Sequence, residues 1–285
     1  MIRLPHIVGK VREALAEDIG FGDLTSSLLI PEELEAVAEV VAKEEGILAG
    51  VLEASLAFEL LGAEVLEAAE EGSRVRPGDV VMRVRGPARA LLAAERTALN
   101  FLMRMSGIAT ATHAMVEEAR KANPEVRVAA TRKTAPGLRA FDKRAVEVGG
   151  GDTHRLRLDD CILIKNNHLA LVGDVGEAVR KAREMASFTK KVEVEVRSPE
   201  EAVEAARAGA DIIMLDNMTV EEVREALRRL EEEGLRSRVL VEASGRIGLE
   251  EAADYAGAGV DIISSGFLTH SARALDFAMR VLMET

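Results

Sequence analysis

Six short apolar runs between residues 126 and 266 each stop at a polar residue or a glycine of a kind that binds anions, metals or phosphates. The residues at these stops are Arg132-Lys133, Lys165, Glu195, Asp216, Ser244-Gly245 and Gly266. Lys and Arg hold carboxylates and phosphates, carboxylates hold hard cations, and glycine lets the backbone approach phosphate oxygens closely. The recurrence predicts the rim of an active site for small anionic ligands.

The apolar runs themselves predict the elements that position this rim. They are Val128-Ala129-Ala130, Ile162-Leu163-Ile164, Val192 to Val196, Ile212 to Leu215, Val239-Leu240-Val241 and Ile262-Ile263. Most are separated by enough chain for a helix, which is typical of repeated β-α units in a parallel sheet or barrel. In such barrels the chemistry collects where the strands end, because the loops there converge on one face.

The run from Val192 to Val196 alternates valine with Glu193 and Glu195. Because the side chains of a strand alternate between its faces, both glutamates point one way, and we expect the valines to face helices and the glutamates to face inward. Buried carboxylates need partners, so Lys165 and Arg132 at neighbouring strand ends are expected to pair with them. A structural ion-pair network is the alternative for any one of these residues, but the set, arranged strand after strand, favours a functional site.

Two small-residue sequences, Ser244-Gly245 and Ser264-Ser265-Gly266, end the last two runs. Barrels often hold a phosphate there on backbone N–H groups and the start of a helix. Each is a weak signal alone, but together they favour a phosphate site. The run Gly149-Gly150-Gly151 is interpreted as a loop tip able to move over a ligand.

The part of the chain before residue 108 has a different pattern, which predicts a small α+β domain. Expected strands are 37–41 and 80–84, with a turn at 76–79, and expected helices are 56–61 and 88–105. The chain is expected to divide at Ser106-Gly107-Ile108, with a new helix from Thr110 to Lys121 leading into the second domain. The end of the chain, from Ala272 to Met283, is predicted to be one more amphipathic helix.

Composition limits the classes of protein. A chain of 285 residues that is 48% hydrophobic can bury a large core, so disorder is excluded. A net charge of −12 argues against general nucleic-acid binding, whereas residues 126–168 hold nine Lys or Arg and five Asp or Glu, which suits a small anionic ligand. No run approaches about 20 apolar residues, and the single Cys161 fits a reducing compartment, so a cytoplasmic protein without a membrane span is expected.

Several longer motifs occur in an order that resembles the quinolinate phosphoribosyltransferase family. They are Ala130 to Gly137, Gly149-Gly150-Gly151 with His154-Arg155, Leu163 to His168, Val192 to Glu195, Leu215-Asp216-Asn217 and Glu242 to Gly245. The match extends to Glu17 to Gly20, Gly22 to Thr25 and Glu95 to Asn100, so it covers nearly the whole chain. The resemblance implies an α/β and α+β fold: an incomplete (β/α) barrel of about six parallel strands, with a smaller N-terminal α+β open-face sandwich domain. The domains expected are 1–108 and 109–269, with a helix at 270–285 packed on the first.

By resemblance, the enzyme is a Mg²⁺-dependent pentosyltransferase that makes nicotinate mononucleotide, pyrophosphate and CO₂ from quinolinate and phosphoribosyl pyrophosphate, in NAD biosynthesis. The resemblance assigns quinolinate to Arg132, His154, Arg155 and Lys165, together with Arg96 from the partner subunit of a homodimer. It assigns phosphoribosyl pyrophosphate to Lys133, Lys165, Glu195, Asp216, Ser244, Gly245 and Gly266. Lys133, Lys165, Glu195 and Asp216 are the expected catalytic residues, and Glu195 and Asp216 are expected to hold Mg²⁺ through water. Whether the dimers assemble further stays open.

Four alternatives are weighed. A sister phosphoribosyltransferase for nicotinate would need fewer groups for a second carboxylate, and Arg132, His154 and Arg155 together speak against it. The other major phosphoribosyltransferase architecture is mimicked by Leu158-Asp159-Asp160, but Cys161-Ile162-Leu163 follows where a Thr-Gly loop is required. A barrel lyase with a Schiff-base lysine and a non-catalytic binding protein complete the set.

Three positions depart from the family pattern. Arg246 follows Ser244-Gly245 where a second glycine is common, and either contacts phosphate or faces solvent. Asn166 and the sequence Asp142-Lys143-Arg144 also differ from the usual residues. None of the three removes a residue with a catalytic assignment.

Overall fold

The computed structural model describes residues 4–282, so predictions that reach residues 1–3 or 283–285 lie partly outside the described residues. The helices are α1 (Leu4–Ile19), α2 (Leu24–Leu29), α3 (Val51–Glu59), α4 (Ala88–Ala122), α5 (Arg139–Val148), α6 (Asn166–Val172), α7 (Val175–Met185), α8 (Pro199–Ala208), α9 (Val220–Glu232), α10 (Ala252–Gly257) and α11 (Phe267–His270). The strands are β1 (Glu35–Ala42), β2 (Gly46–Ile47), β3 (Glu64–Ala68), β4 (Arg74–Val75), β5 (Val80–Pro87), β6 (Arg127–Ala130), β7 (Ile162–Ile164), β8 (Val192–Val196), β9 (Ile212–Asp216), β10 (Leu240–Gly245), β11 (Ile262–Ser265) and β12 (Phe277–Leu282). None of the helices in this part of the chain is long and apolar enough to cross a membrane.

The chain groups into two compact units. The first comprises the chain up to Ala111, with Ala140–Gly149 and the chain from Ala272 onward, and the second comprises Thr112–Arg139 and Gly150–Ser271. Segment α5 groups with the first unit because Arg104 donates to both carboxylate oxygens of Asp142 at 2.8 Å and Arg144 donates to Glu53 at 2.5 and 2.6 Å. The division after residue 108 stays a prediction.

The first unit is built on an antiparallel sheet in the order β12-β1-β5-β3, and β2 pairs with β4 beside it. Both predicted strands, 37–41 and 80–84, lie in this sheet as parts of β1 and β5, where Ala38 pairs with Val84. The predicted turn at 76–79 is also present, with Asp79 Oδ2 accepting the Arg76 N–H at 2.8 Å. The predicted α+β domain is therefore confirmed.

The helix α4 runs through Ser106-Gly107-Ile108 without a break, so the predicted division of this helix is wrong. Both small residues have packing roles instead. The Ser106 hydroxyl accepts the Ala49 N–H at 2.9 Å and donates to the Ala49 carbonyl at 3.1 Å. A Cβ on Gly107 would lie 2.1 Å from the Arg273 carbonyl oxygen, so glycine permits a close backbone approach rather than ending the helix.

We expect Gly107→Ala to lower the stability of the protein, because its methyl group has no space against the Arg273 carbonyl. Overpacking of this kind costs roughly 1–3 kcal/mol in the free energy of unfolding. Gly9→Ala is the matched control: it also lies inside a helix, α1, but has nothing within 4 Å of its Cβ position, so it should be neutral or stabilising by up to about 1 kcal/mol. Thermal and urea unfolding of both variants measure the difference, and equal midpoints would contradict the packing role.

The end of the chain is a strand, not the predicted helix. Residues 277–282 form β12, which pairs antiparallel with β1 and so adds an edge strand to the first unit. A short, mostly apolar segment fits either structure, and the tertiary context decides. Here Arg280 lies opposite Glu39 and donates to its Oε2 at 2.7 and 3.0 Å, a cross-strand pair that stabilises the strand.

The second unit is a parallel sheet in the order β6-β11-β10-β9-β8-β7, which confirms the predicted incomplete (β/α) barrel of six strands. Five of the six predicted apolar runs lie entirely in these strands, and in the sixth Val239 precedes β10, which begins at Leu240. The connecting helices start where their sequences require: Asp174 caps α7, Ser198 precedes Pro199 at the start of α8, and Thr219 forms a capping box with Glu222 on α9. Six such strands bring their carboxyl ends to one face.

Candidate active site

The carboxyl ends of the barrel strands surround a cavity of about 540 Å³. Nine of the predicted site residues line it: Arg132, Lys133, His154, Arg155, Lys165, Glu195, Asp216, Ser244 and Gly245. Each follows a strand, ends one or lies in the loop beside one, which is where parallel barrels place their chemistry. The structure therefore brings these nine residues together, and their individual roles stay predictions.

The β8 strand has the predicted two-faced arrangement. Val192, Val194 and Val196 belong to the apolar core between sheet and helices, and Glu193 and Glu195 are 0% and 8% exposed. Glu195 forms an ion pair with Lys165, as predicted. Lys165 is fixed at the start of α6, where its N–H donates to His168 Nδ1 at 2.9 Å. This pair places opposite charges side by side on the cavity wall.

The prediction that Arg132 pairs with a β8 glutamate is wrong. Arg132 follows β6, which is the edge strand beside β11. Three strands, β11, β10 and β9, separate β6 from β8 in the sheet. The Nε of Arg132 is buried and has no hydrogen-bond acceptor among the described residues. A buried donor without a partner is costly, so an acceptor from a ligand is expected here.

Positive charge dominates the cavity. Five Lys or Arg side chains line it, against three Asp or Glu. Arg246, whose role the sequence left open, is one of the five, although it is also exposed to solvent. The excess of cations suits a ligand with several negative charges.

The β9 and β10 ends form the second side of the cavity. Asp216 Oδ1 accepts from Asn217 Nδ2 at 3.0 Å, which leaves the other carboxylate oxygen for a ligand. The Asn217 N–H donates to the Ser244 carbonyl at 2.8 Å, and Asn217 has a left-handed φ of 56°. Gly245 has a φ of 144°, and a Cβ there would lie 2.8 Å from Asn217 Oδ1. Glycine is therefore required at this strand end both by conformation and by space.

Gly266 has a different surrounding from the other predicted phosphate residues. It is not among the lining residues, and a Cβ on it would lie 2.7 Å from Lys133 Cδ. The Thr269 hydroxyl donates to the Lys133 carbonyl at 2.8 Å from the short helix α11. Gly266 thus makes room for Lys133 in this structure, and its contact with phosphate stays a prediction.

Sequence reasoning gave no role to three further polar residues that line the cavity: Thr131, Asn217 and Glu242. The signal for Glu242 was available, because it shares a strand face with Ser244 by the two-residue period of β10. Ser264, which belongs to the predicted phosphate sequence, also lines the cavity. It lies opposite Ser244 in the sheet register, and its hydroxyl donates to Ser244 Oγ at 2.9 Å. That contact depends on strand order, which the sequence does not show.

A glycine run and two single residues that the sequence singled out do not line this cavity. The Gly149-Gly150-Gly151 run forms a turn after α5, with Gly150 at a φ of 86°. Arg96 is an exposed residue of α4 in the first unit. Cys161 is a free, half-buried cysteine before β7, and burial raises the pKa of its thiol to about 11.

Comparisons with known proteins identify the family. The model of the quinolinate phosphoribosyl transferase N-terminal domain matches residues 23–106, and that of the C-terminal domain matches residues 108–280. The probable nicotinate-nucleotide pyrophosphorylases [carboxylating] of Archaeoglobus fulgidus and Methanothermobacter thermautotrophicus are 54% and 48% identical, over 92% and 95% of this chain and 99% and 97% of their own. The crystal structure of NadC from Streptococcus pyogenes has 41% identity and a TM-score of 0.90, and the match covers 97% of this chain and 96% of that one.

The fold, the site and these matches define a phosphoribosyltransferase built on an incomplete (β/α) barrel. More particularly, the chain belongs to the quinolinate phosphoribosyl transferase family. Membership excludes the lyase and the non-catalytic binding protein.

Proposed function

We propose that this enzyme transfers the phosphoribosyl group of phosphoribosyl pyrophosphate to quinolinate, with Mg²⁺, and releases CO₂ and pyrophosphate to give nicotinate mononucleotide. The relatives' names, nicotinate-nucleotide pyrophosphorylase [carboxylating], describe this reaction in reverse. They therefore support a nicotinate nucleotide as the forward product and the release of CO₂ in the forward direction. The observation that carries the proposal is the buried, unpartnered Nε of Arg132 in a cavity lined by four more cations. Quinolinate has two carboxylates, and a guanidinium can hold each through two parallel hydrogen bonds.

In the proposed ternary complex, Arg132 and Arg155 hold the quinolinate carboxylates and Lys165 lies between the two substrates. Lys133 and the β10 end, Ser244 and Gly245, bind the phosphates of the second substrate. Holding both substrates in one cavity converts an encounter into an intramolecular reaction and accelerates it by proximity.

The pyridine nitrogen then attacks the anomeric carbon, and the bond to pyrophosphate breaks. The electron pair of the nitrogen forms the new C–N bond, and the electrons of the broken C–O bond leave with pyrophosphate. Positive charge develops on the ribose, and the carboxylates of Glu195 and Asp216 are placed to stabilise it. No covalent bond to the enzyme is required.

Loss of CO₂ from the 2-position follows. The new N–C bond makes the ring nitrogen positive, so the electron pair left on the adjacent carbon is stabilised, and that carbon then takes a proton. Arg155 and Lys165 line the same cavity and add positive charge to it. The proton's source is solvent or a cavity residue.

The residues present fit a Mg²⁺ site of the kind completed by phosphates and water. Asp216 has one carboxylate oxygen free of its bond to Asn217, and Glu195 shares the cavity with it. Mg²⁺ prefers one or two carboxylates together with substrate phosphates and waters rather than a closed protein cage. When bound, the ion supplies positive charge for the departing pyrophosphate.

The test is pyrophosphate release by the purified enzyme, with each substrate omitted in turn and with EDTA in place of Mg²⁺. We expect release only with quinolinate, phosphoribosyl pyrophosphate and Mg²⁺ together. Release with nicotinate in place of quinolinate would favour the sister activity, and full activity in EDTA would remove Mg²⁺ from the proposal. Location in the cytoplasm stays a prediction.

We further propose a homodimer in which the partner subunit supplies Arg96, because the family resemblance places this exposed arginine in a motif that acts across the interface. Arg96→Ala and Lys165→Ala variants should each be nearly inactive. If the sites are shared, mixing and refolding the two variants together restores about a quarter of wild-type activity, since half of the chains enter mixed dimers and each of these holds one intact site. Activity no higher than that of the separate variants would contradict a shared site.

A further inference from the structure

Arg246 continues the face of β10 that points into the cavity. Residues two apart in a strand share a face, and Glu242 and Ser244 of β10 both line the cavity. The intervening Ala243 belongs to the apolar core between sheet and helices, as does Ile247. Arg246 lies two residues after Ser244, lines the cavity and is exposed, so the strand period places its side chain on the cavity face, at the mouth.

The backbone on both sides of Arg246 is fixed. Gly245 lies opposite Ser265 in the parallel register of β10 and β11. Ile247 is 3% exposed, and its carbonyl accepts the Ser265 hydroxyl at 2.7 Å. Because the backbone is already ordered, Arg246 loses only the freedom of its own side chain when it binds a ligand.

The guanidinium of Arg246 has no partner in the described part of the protein. Within residues 4–282 it forms no hydrogen bond and no ion pair, whereas Lys165 of the same cavity is paired with Glu195. Such freedom is ordinary for a surface arginine, so it matters only together with the place of Arg246 in the cavity. There, five N–H donors in a planar fork are available to a ligand with several oxygen atoms.

The other four cations that line the cavity come from a different part of the barrel. Arg132 and Lys133 follow the edge strand β6, and Lys165 follows the edge strand β7. Arg155 lies in the segment between α5 and β7. Among the described residues that line this cavity, Arg246 is therefore the one cation that follows a central strand.

A phosphate at the end of β10 needs a cation beside it. The proposed function places a phosphate at Ser244 and Gly245, and neither residue carries a charge. Ser244 lies opposite Asp216 in the register of β10 and β9, so this phosphate would lie beside a carboxylate. A phosphate monoester carries a charge of about −1.5 to −2 at pH 7, and like charges repel each other. Arg246 supplies positive charge that offsets this repulsion.

We propose that Arg246 binds the 5′-phosphate of phosphoribosyl pyrophosphate, and the same phosphate in the nucleotide product, through charge-assisted hydrogen bonds; this inference rests on the proposed function. The planar guanidinium matches two phosphate oxygens at once. Lys133 reaches the end of the neighbouring strand β11, because its Cδ lies 2.7 Å from where a Cβ on Gly266 would be. The pyrophosphate group, by contrast, belongs with the carboxylates of Glu195 and Asp216 and the Mg²⁺ proposed there. Arg246 thus distinguishes the two phosphorylated ends of the substrate.

The test measures binding without turnover, by calorimetry of nicotinate mononucleotide and of pyrophosphate with Mg²⁺. Arg246→Gln should raise the Kd of the nucleotide about tenfold, the effect of one lost charge-assisted hydrogen bond, and that of pyrophosphate less than about twofold. Arg246→Lys keeps the charge but not the fork and should raise the Kd of the nucleotide about threefold.

The matched control is Arg238→Gln. Arg238 is an exposed arginine that comes just before β10, at the opposite end of the same strand from Arg246, and it does not line the cavity. The substitution removes the same charge from the same strand, so it corrects for the change in net charge. It should leave both Kd values within about twofold.

Steady-state kinetics give a second readout. Arg246→Gln should raise the KM for phosphoribosyl pyrophosphate about tenfold and the KM for quinolinate less than about twofold, because quinolinate has no phosphate. Because Arg246 is exposed and unpaired, its variants should unfold at the wild-type temperature, which thermal unfolding checks.

Three results would overturn the role of Arg246: a nucleotide Kd for Arg246→Gln within about twofold of wild type, equal weakening of nucleotide and pyrophosphate, or equal effects of Arg246→Gln and Arg238→Gln. Wild-type enzyme that does not bind nicotinate mononucleotide would instead overturn the proposed function. Selective weakening of the nucleotide by Arg246→Gln, with an intermediate effect of Arg246→Lys, is the result expected.

Discussion

Replacing Lys165 with alanine should lower kcat/KM for quinolinate and for phosphoribosyl pyrophosphate by about a hundredfold to a thousandfold. Lys165 lines the cavity and forms an ion pair with Glu195, whose side chain is only 9% exposed. The substitution removes a cation from between two anionic substrates and leaves a buried carboxylate without its partner. Both changes disfavour the binding of further negative charge.

Steady-state kinetics with each substrate varied in turn measure the effect. Lys181→Ala is the matched control, because Lys181 is an exposed lysine on α7 of the same unit and does not line the cavity. It should leave both kcat/KM values within about twofold, as is usual for a surface substitution. A loss below about tenfold for Lys165→Ala would show that the central ion pair is only structural.

The second large effect is expected from Gly245→Ala, which should lower kcat/KM for phosphoribosyl pyrophosphate about a hundredfold. The added Cβ would lie 2.8 Å from Asn217 Oδ1, so Asn217 must move, and the Asp216 carboxylate bonded to it must move as well. A misplacement of about 1 Å in an active site can cost about a hundredfold in rate. The binding of quinolinate, measured alone by calorimetry, should change little, because the quinolinate residues lie on other strands.

Gly234→Ala is the control that distinguishes the effect of backbone strain from the effect of displacing Asn217 and Asp216. Gly234 also has a left-handed φ, 66°, but nothing lies within 4 Å of its Cβ position. It should lower stability by roughly 1–3 kcal/mol and leave kcat/KM unchanged. If the two alanine variants lose activity equally, the proposed role of the Gly245 strand end is wrong.

The sequence predicted the barrel and most of the cavity because both follow from local periodicity. In β8, the alternation of valine with Glu193 and Glu195 requires one polar face, and a parallel barrel turns that face inward. Lys165 and Glu195 could be paired in advance, since β7 and β8 are consecutive in sequence and adjacent in the sheet.

Other features depend on contacts that no local pattern shows. The segment from Phe277 to Leu282 is a strand because β1 has a free edge and Glu39 offers a partner to Arg280. The helix α4 continues through Gly107, where glycine is required because a Cβ would lie 2.1 Å from the Arg273 carbonyl oxygen. Ordinary rules treat a glycine as a point where a helix ends, and here tertiary packing has the larger effect.

The role of His154 shows the same limit inside the site. The motif predicts that it lies beside Arg155 in the cavity, and it does. Its hydrogen bond to Glu242, 88 residues away in the sequence, depends on the order of the barrel strands, so no local pattern could predict it.

The cations of the cavity are proposed to bind a dicarboxylate that then loses one carboxylate as CO₂. The most direct test measures CO₂ and pyrophosphate together from quinolinate labelled with ¹⁴C in its 2-carboxylate, with nicotinate as the parallel substrate. We expect equal amounts of labelled CO₂ and pyrophosphate from quinolinate and no pyrophosphate from nicotinate. Pyrophosphate from nicotinate, or from quinolinate without labelled CO₂, would contradict it.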